Sequence, residues 1–168
     1  KAGAKFDVNK AKWFNQQYLK QADLSALAQQ YLPNLAIADA TAFVHLFLDR
    51  VTFPQEISQL VQEFTQKPQA YDEAVLASKW NMEAQQGLQV IASQLPACSE
   101  WNADGIKHTI HVSLEAAGIK MGKVMQILRV ALSGNGAGPD LMISMQLWGK
   151  EEVIARLQAA LATFPKLS

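Results

Sequence analysis

Apolar residues recur every three or four positions along most of this chain, and that spacing predicts helices almost from end to end. β-branched alternation is nearly absent, and Gly and Pro fall between the periodic segments. Asp7 or Asn9 supplies an N-cap for a first helix running to about Leu19. Its aromatic residues Trp13, Phe14 and Tyr18 are expected in the core. Residues 23–32 predict a second short helix that stops before Pro33. Residues 39–50, with Phe43, Val44, Leu46, Phe47 and Leu48, predict a buried central helix in which His45 is a core histidine. Pro54 at an N1 position opens another, with Ile57, Leu60, Val61 and Phe64 as its stripe.

Residues 66–70 are the best linker candidate, so the chain divides near residue 69 into two consecutive helical bundles, 1–68 and 69–168, in an all-α fold. Beyond the linker, helices are expected over 71–80, 83–95, 104–117, 140–148 and 150–164, together with one that follows Gly118. In the 104–117 helix, Ile106, Ile110, Leu114 and Ala117 form the buried stripe, which turns Lys107, His108 and His111 outward. The last helix buries Val153, Ile154, Leu157, Ala160, Leu161 and Phe164.

Charge then singles out one stretch. Fifteen cations balance fifteen anions, so any nucleic-acid contact must come from a local patch rather than from overall charge. Between Ala116 and Pro139 the chain carries Lys120, Lys123 and Arg129 and no acid. Met121, Val124, Met125, Leu128, Ala131 and Leu132 make the core-facing stripe there. At about 100° per residue, Lys123, Gln126, Arg129, Ser133 and also Val130 fall on the opposite side. The helix breaks at residues 133–139, Ser-Gly-Asn-Gly-Ala-Gly-Pro, a loop able to bring bare backbone close to a ligand. Two readings stand: a face for an anionic partner, or a solvated face followed by a plain turn.

Other chemistry is thin. Lys120-Met121-Gly122-Lys123 lies inside a helical stripe, with no H-[IV]-G-H partner, which argues against an ATP-activating loop. Gly134, Gly136 and Gly138 follow a helix rather than a strand, so they are not a dinucleotide fingerprint. His108 and His111 have only Cys98 nearby as a further soft ligand, too few for a structural zinc, and no metal site is expected. No catalytic arrangement stands out. The single cysteine forbids an internal disulfide and fits a reducing cytoplasm. No apolar run approaches about 18 residues, and no membrane association is expected. Lys1 is not an initiator methionine, and we expect a piece of a longer protein.

One ordered set of residues is far more specific. Gly118-Ile119-Lys120-Met121-Gly122-Lys123 is followed by Leu128-Arg129-Val130-Ala131-Leu132-Ser133-Gly134 and Gly138-Pro139. Leu147-Trp148-Gly149-Lys150-Glu151 and Arg156-Leu157 come next. In this order they resemble the anticodon-binding region of bacterial glutamyl-tRNA synthetases, and the stretch from Phe6-Asp7 to Tyr18-Leu19 resembles that family's junction after the catalytic half. The resemblance implies a monomeric, cytoplasmic partner of tRNA(Glu), in an enzyme that joins glutamate to its tRNA with ATP and Mg. It places that chemistry in a Rossmann domain outside this chain, so no cofactor and no catalytic residue is expected here. It also implies anticodon contacts at Arg50, Arg129, the Gly138-Pro139 loop and His111, with Lys123 and Gln126 on the same basic face. At the position of Arg50, arginine is associated in the family with strict selection of tRNA(Glu), and a shorter amide with also accepting tRNA(Gln). The rival reading is a helical protein-interaction module without RNA binding, which the net charge of zero favours slightly.

Overall fold

Aspartate and asparagine start most of the helices in the computed structural model, which describes residues 7–167. Phe6 and Lys1 lie outside the described residues. Among those residues there are ten α-helices, two short 3-10 turns and no strand. Asp7, not Asn9, caps α1 (Val8–Gln21), accepting from the backbone N–H groups of Asn9 and Lys10. Asp23 caps α2 (Leu24–Tyr31), and α3 (Ile37–Phe47) follows, tightening into a 3-10 turn over Leu48–Arg50. The next helix, α4 (Glu56–Thr65), begins two residues after Pro54, since Pro54 and Phe53 only accept its first turn-forming bonds. Asp72 caps α5 (Glu73–Lys79), Asn81 caps α6 (Met82–Gln94), and Asn102 caps α7 (Ala103–Ala116). Then come α8 (Met121–Ser133), α9 (Leu141–Trp148), capped by Asp140, and α10 (Lys150–Thr163). Each such cap satisfies N–H groups that the first helical turn leaves orphaned.

The chain forms two units, residues 1–64 and 65–168, each with its own packing. In the first, α2 packs on α3, and Phe64 lies edge-on between Phe43 and Phe47 at 5.7 and 5.4 Å. Two expectations are corrected here. Trp13, Phe14 and Tyr18 are exposed, because the inward stripe of α1 is Ala11, Asn15, Leu19 and Ala22. Asn15 donates from that stripe to the Thr52 carbonyl. His45 is exposed as well, since α3 turns Ala40, Phe43, Val44 and Phe47 inward at i, i+3, i+4 and i+7 spacing.

In the second unit α8 is the central helix and packs against α5, α6, α7 and α10. Ile127, Leu128 and Val130 are fully buried. Val130 therefore belongs to the core and not to the polar side, because α5 covers the face that periodicity alone leaves outside. Where α6 crosses α8 there is no room for a side chain: a Cβ on Gly87 would lie 2.4 Å from Val124 Cγ2. Phe164 closes the other end between Tyr71 and Trp80, with ring centroids 4.9 and 5.0 Å away.

The second unit starts at Thr65, where one buried charge ties the chain to it. Arg156 on α10 is 2% exposed. Its Nε donates to Glu152 at 2.8 Å, Nη1 to the Leu132 carbonyl at 2.9 Å, and Nη2 to the carbonyls of Thr65 and Gln66 at 3.1 and 3.0 Å. The Trp148 ring covers its face at 4.5 Å. Residues 65–66 are thereby bound into the second unit instead of forming a loose linker. Removing one partner of a buried, hydrogen-bonded charge costs about 3–5 kcal/mol. Arg156→Ala should lower the unfolding free energy of the chain by that order in a urea titration; a loss under about 1 kcal/mol would show that these bonds are not coupled to folding.

Candidate nucleic-acid interface

α8 closes on Gly134, which takes the left-handed conformation (φ 80°) and donates to the Val130 carbonyl at 2.8 Å. The chain then makes the loop 134–139, which the sequence left open as a ligand-facing loop or a turn. It is an ordered turn seated on residues 68–75. The Gly134 carbonyl accepts from the Asp72 N–H at 2.8 Å, and the Gly136 N–H donates to Asp72 Oδ2 at 3.3 Å. A Cβ on Gly134 would meet the Ala70 carbonyl at 2.6 Å, and one on Gly136 would meet Val75 Cγ2 at 2.5 Å. Ser133 and Asn135 complete the turn with bonds to each other's backbone.

Arg129 sits one turn back from that loop, half-buried, and donates from Nη1 to the Pro139 carbonyl at 2.7 Å. Gly138 leaves space for this guanidinium: a Cβ there would be 3.1 Å from Nη1. Beside it opens a cleft of about 430 Å3 between α7, α8 and α9, lined by Asp104, Lys107, Met121, Met125, Arg129 and Asp140 among others. That size lies within the range of ligand clefts, about 300–1,000 Å3. Its wall offers two methionine thioethers as a polarisable apolar surface, cationic donors on Lys107 and Arg129, and carboxylate acceptors on Asp104 and Asp140. An apolar wall and polar edge together suit a planar heteroaromatic group with hydrogen-bonding edges.

The expected contact residues divide. Arg129, Gly138 and Pro139 come together at the cleft, and Gln126 lies on the same side, its Nε2 3.6 Å from where a Gly136 Cβ would be. Lys123 is exposed on α8. His111 lies outside that cleft, in a separate hollow of about 360 Å3 with Glu115, Ile119 and Lys120. Its Nδ1 is 3.9 Å from the Glu115 carboxylate, with both side chains well exposed, so the pairing contributes little. Arg50 is exposed at the end of the 3-10 turn of the first unit. Sequence reasoning missed Asp104 and Asp140 as cleft residues and counted Met121 and Met125 as core, although both are only partly buried. It also missed Asp72, for which the only local signal is an N-cap before α5. Among the described residues no group of His, Cys, Asp or Glu has a metal-holding arrangement, and no helix is long and apolar enough to cross a membrane.

The model of the anticodon binding domain family matches residues 8–161. The glutamate–tRNA ligase of Cytophaga hutchinsonii is 41% identical over 171 residues, covering 97% of this chain and 33% of that protein. That of Amoebophilus asiaticus is 38% identical over 168 residues, covering 96% and 33%. Among solved structures, a glutamate tRNA ligase from Elizabethkingia meningosepticum, in complex with its amino acid, superposes with a TM-score of 0.87 at 34% identity. That match covers 98% of this chain and 34% of the other. A glutamate–tRNA synthetase from Elizabethkingia anophelis gives 0.83 at 33% identity, covering 96% and 33%. The chain thus spans about a third of the length of the relatives it matches.

The loop geometry makes a direct test of its seating. Gly134→Ala combines a left-handed backbone with a clash against the Ala70 carbonyl, and should cost about 1–3 kcal/mol in urea unfolding. A change within about 0.5 kcal/mol, the scatter of surface substitutions, would mean the loop is not held against residues 68–70.

Proposed function

The chain belongs to the anticodon binding domain family, and from that premise we propose that it is the anticodon-reading part of a glutamate–tRNA ligase with tRNA(Glu) as its partner. The observation that carries this reading is the cleft beside Arg129, where a guanidinium fixed on the Pro139 carbonyl stands over a methionine wall. Anticodon bases are single-stranded, so one can be splayed into such a cleft, its face on the thioethers and its edge toward Arg129, Lys107 and the two carboxylates. Arginine suits the task because its planar fork pairs with base or phosphate acceptors. Lys123 and Gln126, on the adjoining exposed surface, are assigned to the RNA backbone, and Arg50 to a base read by the first unit. His111 is assigned a place at the periphery of the interface. The ligation itself, with its ATP and Mg, is assigned to the part of such ligases that this chain does not span. The cleft gives a protein-interaction module no such support; the large exposed apolar residues Trp13, Phe14 and Tyr18 belong to α1 in the first unit.

The test is a titration of the chain with tRNA(Glu) at several salt concentrations. Arg129→Ala should weaken binding by about 1–3 kcal/mol, the worth of a good base contact. Lys123→Ala should mainly lower the salt slope, as the loss of a phosphate contact does. If both variants bind like the unmodified chain at low salt, the basic face is only solvated surface.

Arg50 gives a second test, on selectivity. The anticodons of tRNA(Glu) and tRNA(Gln) differ at the third base, C against G, and a cationic donor can pair with the acceptor edge of cytosine. Guanine at the same place would leave a polar group poorly paired, at a cost of about 1–3 kcal/mol. The chain should therefore prefer an RNA hairpin with the tRNA(Glu) anticodon loop over one with that of tRNA(Gln), and Arg50→Gln should reduce the preference. Equal preference before and after the substitution would remove Arg50 from the reading.

A further inference from the structure

Asp72 lies far before Arg129 in the chain, yet its backbone and carboxylate hold Gly134 and Gly136 of one turn. Oδ1 accepts from the Val75 N–H at 3.0 Å and so starts α5, while Oδ2 accepts from the Gly136 N–H at 3.3 Å. The Asp72 N–H donates to the Gly134 carbonyl at 2.8 Å. Two residues beyond Gly136 comes Gly138, whose Cα hydrogen faces Arg129 Nη1, and next comes Pro139, whose carbonyl receives that nitrogen at 2.7 Å. A displacement of the loop therefore moves the oxygen that aims the guanidinium. The loop cannot shift inward, because Val75 and Ala70 already touch it where the glycines lack a Cβ. At Gly136 the carboxylate contact restrains it from moving outward.

We infer that Asp72 is a positioning residue for anticodon reading: by tying the Gly136 amide it fixes the loop whose Pro139 carbonyl aims Arg129 into the cleft. This rests on the reading of the cleft as an anticodon-base site. The carboxylate acts at a distance from the RNA and makes no contact of its own with the base. Its two oxygens serve two amides, so capping and loop-holding can be separated by a side chain with one oxygen. Serine is such a residue, because it caps a helix about as well as aspartate does.

The experiment uses the whole chain and a short RNA hairpin with the tRNA(Glu) anticodon loop, together with hairpins in which each anticodon base is changed in turn. Asp72→Ser should keep the helical circular dichroism of the chain and lose selectivity between the hairpins. Its binding to the cognate hairpin should weaken about three- to tenfold, the scale of one ordinary hydrogen bond. In the Asp72→Ser background, Arg129→Ala should cost less than it does alone, since an arginine already misaimed has less to lose. Should Asp72→Ser not fold, Asp72→Asn keeps Oδ1 as the cap acceptor while setting an amide NH2 against the Gly136 N–H, and must give the same non-additivity with Arg129→Ala. Selectivity intact in Asp72→Ser, or effects that simply add, would overturn the inference while leaving the anticodon reading in place. A chain that does not distinguish the hairpins even before substitution would overturn the reading, and the positioning role with it.

Discussion

Among the described residues the guanidinium of Arg156 is the one charge withdrawn from water, and groups from three parts of the second unit make that tolerable. An ion of this size is costly to bury unless its N–H groups find acceptors. Here Glu152 offers one and three backbone carbonyls the rest. The carbonyls share a property: none is completed by its own helix. Leu132 is in the last turn of α8, whose final four C=O groups lack intrahelical partners, and Thr65 and Gln66 lie where α4 has run out. A leucine or methionine in place of Arg156 would fill the space and leave three acceptors unpaired. A cation at the carboxyl end of α8 also meets the negative pole of that helix. The charge thus ties the last turn of α8 to residues 65–66, just before the segment on which the 134–139 loop rests.

That dependence explains which parts of the fold were legible from the sequence. Helix existence followed from the 3.6-residue period and from acidic or amide caps, and every segment expected beyond residue 69 is present within a residue or two. What periodicity supplies is the direction of one stripe; it does not say how many neighbours a helix has. α8 has four, so Val130, on the nominally polar side, is buried under α5. α1 errs the opposite way. Its largest apolar side chains are bunched at positions 13, 14 and 18, whereas the side that turns inward carries Asn15 and ends on Leu19. Hydrophobicity counted by residue misleads in such a case, and geometry decides. His45 failed for the same reason, being one position off a clean i, i+3, i+4, i+7 pattern.

The candidate site divides along a similar line. Arg129 was legible because it stands in an acid-free run that ends in a Gly-Pro loop, a local signal. Asp104 and Asp140 were not, because the cleft brings α7 and α9 to α8 from opposite sides in the chain. Nor could the run Gln66-Lys67-Pro68-Gln69-Ala70 be read as anything but a linker. Its composition is that of a loop, and its fixed position comes from distant groups: Arg156 at one end, with Lys67 3.8 Å from Glu152, and the glycine loop at the other. The glycines of 134–138 looked like provision for a ligand. Two of them are instead provision for close backbone contact with residues 70 and 75, and the third for the guanidinium.

Net neutrality, which seemed to speak for a protein partner, fits a reading surface once the charges are placed. Arg156 is used internally, and Lys150 donates to the Cys98 carbonyl at 2.7 Å, so neither is presented to a polyanion. What remains at the cleft is Lys107 and Arg129, beside Asp104 and Asp140. So few cations release few counterions, and sequence-independent affinity grows with the number of phosphates neutralised. Carboxylates at the rim reduce it further and repel a backbone that approaches without presenting a base edge. Under the proposed reading, such a surface would owe more of its RNA binding to hydrogen-bond matching at a base than to neutralised phosphates.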